Sequence, residues 1–193
     1  MVFVSHCLLN QNVRYLGGAT RPGMTTEVVA RLLDARTGVV QLPCPEQCAW
    51  GGVCKRYTVP AYGAGRTPLR RLRRPFARLF LAYTRLAYRR LARRVAGQIA
   101  DYVRSGYTVE SVVGIGGSPS CGVRTTLDLP AVLEDIAGRD PARLDRGEFN
   151  RQVIAGHAVP GEGLFISALR RELRRRHIDV AFDEHDLVAE ITG

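Results

Sequence analysis

Residues 109–122 read Val109-Glu110-Ser111-Val112-Val113-Gly114-Ile115-Gly116-Gly117-Ser118-Pro119-Ser120-Cys121-Gly122. The first half is a short apolar run closed by glycines, which predicts a buried strand over residues 109–115. The second half is a loop dense in backbone N–H groups and hydroxyls, with a thiol at its end. Such a loop can form an anion-binding nest or donate hydrogen bonds to sulfide. It is not a dinucleotide fingerprint. Gly114 and Gly116 fit the first two glycines, but Pro119 stands where the third belongs.

The flanks of this stretch set the fold. Upstream, Phe76, Leu79, Phe80, Tyr83, Leu86, Leu91, Val95, Ile99 and Val103 recur at helical spacing, with Pro75 suited to a first turn and Gly106 to the stop. Residues 2–5 and 39–42 are two further short strands, the second stopped by Pro43. Thr25, Thr26 and Glu27 cap a helix with Val28, Val29, Leu32 and Leu33, and Gly38 ends it. Gly17, Gly18, Pro22 and Gly23 signal a loop before that helix. Downstream, residues 130–136 and 145–150 look like short helical or loop pieces. Residues 161–177 form an amphipathic helix, and residues 178–182 a last strand. Strands separated by helices imply βαβ units with right-handed crossovers. The expected fold is therefore α/β: a single three-layer α/β/α domain with a mainly parallel, Rossmann-like sheet.

A chain of 193 residues with 46% apolar content supports one full core, so residues 1–193 read as one domain. A basic loop and helix insertion occupies about residues 51–105, its first part rich in Gly and Pro. No signal peptide and no membrane-length apolar run is visible, and five cysteines do not make a secreted disulfide framework. The expectation is a cytoplasmic protein with reduced thiols.

The net charge of +10 is local. No acidic residue falls between Glu46 and Asp101, while Arg66, Arg70, Arg71, Arg73, Arg74, Arg78, Arg85, Arg89, Arg90, Arg93 and Arg94 do. A solvated helix face explains such a block; so does a polyanionic partner or an anionic substrate. Lys55 is the one lysine, which fits an arginine-preferring composition.

Each of the first three strands is followed by a cysteine: Cys7, Cys44 and Cys121. Ligands of open parallel sheets bind outside the carboxyl ends of the strands. That rule brings three distant thiols into one reactive sulfur site. Three ligands leave a metal position open, as catalytic sites do, whereas closed structural sites take four. Cys48 and Cys54 lie just beyond Cys44 and are candidates for a fourth. Glu46, two residues from Cys44, is placed for proton transfer, or else serves as a helix N-terminal charge. Ser118 and Ser120 are candidate catalytic hydroxyls.

Three motifs carry a family resemblance: Ser5-His-Cys7-Leu-Leu-Asn10, Gln41-Leu-Pro-Cys44-Pro-Glu46 and Gly117-Ser-Pro-Ser-Cys121-Gly122. Together they resemble the signatures of the 2-thiouracil desulfurase family, formerly a domain of unknown function. Asn10-Gln-Asn12, Pro22-Gly-Met24 and Pro160-Gly-Glu-Gly163-Leu-Phe165 look most like a subgroup of related desulfidases. The resemblance covers essentially the whole chain. It implies a [4Fe–4S] cluster held by Cys7, Cys44 and Cys121 with one iron free of protein ligands, and Glu46 as acid/base. The open iron would polarise a C=S bond, water would attack the carbon, and sulfur would leave as hydrosulfide without net redox. Val13-Arg14-Tyr15 stands where the family often has Cys-Arg-Tyr. Arg73-Arg74-Pro75-Phe76 stands where the subgroup has a His-Cys pair, and Cys48 and Cys54 are additional. These departures bear on the substrate, a small thiolated compound with or without a phosphate, more than on the cluster. Two other roles fit the residues: a non-catalytic iron–sulfur or zinc protein, acting as sensor or sulfur carrier, and an RNA-associated basic module. In the latter the arginines would track phosphates, with Tyr83, Tyr88 and Tyr102 as stacking surfaces, though at helical spacing tyrosines are more often core. A tRNA partner belongs with that second role.

Overall fold

The structure, a computed structural model, describes residues 1–14, 23–34, 37–61, 63–64, 71–140 and 145–187. The loop expected at Gly17, Gly18 and Pro22, Tyr15 of the first motif, and Arg66, Pro68 and Arg70 of the basic segment lie outside the described residues.

β1 (Val2–Val4), β2 (Val39–Gln41), β3 (Ser111–Ile115) and β6 (Ala181–His185) form one sheet in the order β2-β1-β3-β6. Every pairing in it is parallel, with Phe3 opposite both Val40 and Val112. The crossovers are α2 (Thr26–Asp34), α4 (Arg73–Arg104) and α7 (Leu164–Arg174). α4 and α7 pack extensively on each other, and right-handed crossovers in the same direction put both on one face of the sheet. Right-handedness puts α2, which runs the other way from β1 to β2, on the opposite face. The molecule is thus a Rossmann-like α/β/α fold. Phe3, Val112, Ala92, Ala96, Ile99, Phe165, Ile166 and Leu169 are completely buried between sheet and helices. No described helix is long and apolar enough to cross a membrane.

The remaining elements sit at the strand ends: α1 (His6–Leu9), α3 (Pro45–Ala49), α5 (Leu129–Gly138), α6 (Arg146–His157) and an antiparallel ribbon of β4 (Thr125–Leu127) with β5 (Ala158–Pro160). Residues 130–136 and 145–150, read as short pieces, belong to the full helices α5 and α6. Asp128 and Asp145 cap them by accepting from the N–H groups of Ala131 and Glu148. The basic loop holds one 3₁₀ turn, Arg56–Ala61, ahead of α4. The ribbon has three residues per strand, too short for a visible alternation.

The last strand begins three residues later than expected. Ile178 and Val180 are apolar, but they lie in the turn out of α7, where His177 takes φ +54° and the Ile178 N–H bonds back to Leu173. Pairing with β3 runs on to Ile115 opposite His185, through the polar Asp183 and Glu184. Tertiary hydrogen bonding outweighs local hydrophobicity there.

Candidate functional site

β1 and β3 are the adjacent central strands from which the chain crosses in opposite directions, so a crevice opens at their carboxyl ends. Cys7 lies in α1, three residues beyond β1. Cys44 follows β2 and caps α3, its sulfur accepting from the Gln47 N–H at 3.4 Å. Cys121 ends the loop after β3 and is buried. The three thiols line one cavity of about 150 Å³, together with Glu46, Ser118, Ser120, Lys55 and Trp50. Cys48 and Cys54 are exposed and do not line it.

Glycines let the Cys121 loop fold back onto the sheet. The Ile115 N–H donates to the Cys121 carbonyl at 3.0 Å. A side chain on Gly114 would strike that carbonyl and Val123. The first turn of α7 grips the same loop from the other side. Gly163 donates to Gly122, Leu164 to Pro119, and Phe165 and Ile166 to the Ser120 carbonyl. Loop carbonyls thereby satisfy the N–H groups that a helix start leaves open. Gly163 has no room for a Cβ against Ser120. The Pro160–Phe165 motif is therefore the clamp that holds the third cysteine.

The loop is not an open anion nest. The N–H groups of Ser120 and Cys121 both donate to Ser118 Oγ, that of Gly122 to the Ser118 carbonyl, that of Gly117 to Thr125 and that of Gly116 to His185. Just beyond, Val123, Arg124 and Thr125 donate to the buried Glu184 carboxylate at 2.6, 2.6 and 3.1 Å. The protein supplies its own anion, and that demand explains why β6 continues through Glu184.

Ser120 Oγ donates to Glu46 Oε1 at 3.0 Å, and Ser118 Oγ lies 3.2 Å from Ser120 Oγ. Because Ser120 has only one hydroxyl proton, Ser118 is the donor of that pair. Lys55 Nζ lies 3.4 Å from Glu46 Oε2 and donates to the Val13 carbonyl at 2.7 Å, with 1% of its side chain exposed. Sequence reasoning passed over Lys55. The available signal was that one lysine survives among 28 basic residues, at a place where an arginine fork would not fit a buried point contact.

Three buried polar atoms around the thiols have no hydrogen-bond partner among the described residues: Ser5 Oγ, His6 Nε2 and Tyr88 Oη. Ser5 lies beside Cys121 and Ser120 beside Tyr88, where each serine hydroxyl slightly favours ionisation of its neighbour against the larger effect of burial. Gln41 Nε2 approaches His6 Nδ1 at 2.7 Å. Nδ1 therefore accepts, and Nε2 carries the proton. Burial, then Lys55, holds the His6 pKa below its usual value. Tyr88 is buried as the helical spacing suggested; Tyr83 is exposed and bonds the Ala49 carbonyl.

Burial pushes the thiols up: Cys44 to about 12, with Glu46 as second cause, and Cys7 and Cys121 also upward. All three are neutral thiols in the cluster-free protein. Among the described residues no three His, Cys, Asp or Glu side chains are grouped to hold one metal ion. Of Ser5, His6 and Tyr88, His6 lines the cavity, and its Nε2 is an unspent donor of the kind that bonds cluster or substrate sulfur. Three thiols that share one cavity, with the unpartnered His6 Nε2 on its wall, are a donor set that fits an iron–sulfur cluster.

None of the described arginines of the basic block lines the cavity; its cations are Arg14 and Lys55. No family model, no curated protein and no solved structure matches the chain. Fold and site thus define a Rossmann-like protein with a thiol-lined cavity at its topological switch point.

Proposed function

We propose that this protein is an iron–sulfur-cluster-dependent desulfurase, which removes sulfur from a thiocarbonyl compound such as a thiolated nucleobase or nucleotide by hydrolysis without net redox. What supports it is one observation: thiols from three strand ends share a cavity with a carboxylate held by a serine and a buried lysine. Cys7, Cys44 and Cys121 would hold a [4Fe–4S] cluster. When bound, such a cluster supplies a Lewis acid at its one iron without a protein ligand.

The chain's own residues do the rest. Ser120 and Lys55 fix the two oxygens of Glu46, leaving a lone pair toward the cavity to take a proton from water. The water oxygen bonds to the thiocarbonyl carbon, the C–S bond breaks, and the products are a carbonyl compound and hydrosulfide. Glu46 returns that proton to the leaving sulfur, and the second proton of the water leaves the new hydroxyl for solvent as the carbonyl forms, so water and thiocarbonyl give carbonyl, hydrosulfide and one proton without net redox. His6 Nε2–H is a donor for that sulfur. Trp50 and the loop at Ser118–Ser120 line the same site.

The test is anaerobic reconstitution with iron and sulfide, metal analysis, and incubation with 2-thiouracil and 4-thiouridine 5′-monophosphate. Four irons per chain and release of sulfide with the oxo product are expected. Absence of iron uptake sinks the reading. A loaded protein that turns over no thiocarbonyl compound would instead be a sensor or sulfur carrier.

A further inference from the structure

The cavity does not end at the sulfur groups. It continues into a lobe between α5 and α6, walled by Leu129, Leu133, Ile136, Phe149, Val153 and Ile154. Ile136, Phe149 and Val153 belong to a second hydrophobic cluster, separate from the main core, with Leu133 packed against it. Of the described cavity-lining residues on these two helices only Asn150 is polar. The cations of the cavity stand at the other end. Arg14 acts on Cys7, and Lys55 is engaged with Glu46 and Val13.

Among the described residues of these two helices a phosphate in such a lobe would surrender its hydration and meet one neutral amide, Asn150, and no cation in return, which costs far more than the lobe's dispersion contacts restore. A short alkyl group, or a second ring, would shed water on both sides. We infer that the substrate of the proposed desulfurase carries its thiocarbonyl on a neutral framework with an apolar substituent, and that the α5–α6 lobe selects that substituent. This rests on the desulfurase reading for the thiocarbonyl, but not for the apolar substituent. It also assigns a purpose to the second cluster, which is otherwise a small core beside a large one. The exposed arginines of α4 then act on solubility or on a partner, not on the substrate.

Trp50 is the only tryptophan and lines the cavity, so its fluorescence reports occupancy in cluster-free protein without any turnover. The probes are uracil, its 5-propyl and 6-propyl derivatives and uridine 5′-monophosphate, followed by the matching thio compounds. Each buried methylene improves binding by roughly fourfold, so the better propyl isomer should bind at least about tenfold tighter than its parent. The gain should be the same at low and physiological salt. Leu133→Asp should abolish it, with the far-UV spectrum confirming the fold. Leu129→Phe, which fills the lobe without adding charge, should abolish it as well. Because the oxo compounds contain no sulfur, their propyl gain is read whether or not desulfuration occurs, so failure of the lobe and failure of the desulfurase reading are separate results. Equal affinity for parent and propyl compounds, tighter binding of the monophosphate, a gain that survives both variants, or no quenching by any probe would overturn the inference.

Discussion

At the sulfur end of the cavity the walls are tied by directional bonds: Ser118 to Ser120, Ser120 to Glu46, Lys55 to Glu46 and Val13, and α7 to the Cys121 loop. At the α5–α6 end the walls are held by apolar contact, in a small cluster that includes Ile136 and Phe149. Hydrogen bonds fix atoms to a narrow range of distance and suit a centre that must position a proton and three thiols. Dispersion contacts fix a volume rather than a position and suit selection by shape. In the proposed desulfurase the cavity would therefore have a rigid chemical end and a more forgiving recognition end, and the two should respond differently to substitution.

The largest expected effect is at the thiols. Cys7→Ala, Cys44→Ala and Cys121→Ala should each lose most of the visible thiolate-to-iron absorbance after reconstitution, while Cys54→Ala keeps it. Cys48→Ala should also keep it, because that side chain is exposed and outside the cavity. Cluster retained in all three primary variants would remove the chemical end altogether.

Alkaline pH should act on the same end. With the Cys44 pKa raised from 9.0 to about 12, the folded chain keeps a proton that the unfolded chain sheds above its ordinary thiol pKa. The unfolded state then binds fewer protons. The stability of cluster-free protein therefore falls as pH rises through that window, by on the order of 3 kcal/mol from this group. Denaturant midpoints across the window should show the fall, and Cys44→Ala should lessen it. A flat profile would mean that the thiol is solvated.

Lys55→Met leaves Glu46 without its partner and the Val13 carbonyl without its donor. The cost should be about 3 kcal/mol by chemical denaturation, with turnover reduced more than cluster content. Ile136→Val probes the opposite end. It should cost about 1 kcal/mol, leave cluster uptake unchanged and weaken only the binding of propyl-bearing probes. If Ile136→Val disturbs the cluster, the two ends are not independent. Smallest of all is Arg71→Ser with Arg74→Ser. Arg74 reaches Glu134 at 3.8 Å from a position that is 76% exposed. Exposed pairs of that kind contribute little. Stability should move by less than about 0.5 kcal/mol, and binding of a neutral probe should stay independent of salt. A salt-dependent loss would return the arginines to the substrate's path.

The same contrast governs what could be read in advance. The strands before Cys7, Cys44 and Cys121, and the gathering of those residues, were legible because short apolar runs punctuated by Gly and Pro are local signals. The rule for parallel sheets supplied the rest. Glu46 and Ser120 were legible as candidates through their motifs, but not as a bonded pair 74 residues apart. Ser118 too was legible as a candidate hydroxyl, but not its bonds to Ser120 and to the loop N–H groups of Ser120 and Cys121. The lobe was not legible, because α5 and α6 looked like fragments and their apolar residues carry no sign of which side they face.

What the sequence determined by itself is the set of elements whose formation is a short-range matter: the buried strands, the long α4, the caps and the glycine loops. The tertiary structure alone decided that β6 extends through Glu184, that Lys55 turns inward to Glu46, and that a second hydrophobic cluster opens onto the thiols. Each of these depends on a partner from another element of the fold. Propensity and periodicity describe a residue's neighbours in the chain, whereas a buried charge or an apolar wall is settled by whatever the fold sets opposite it.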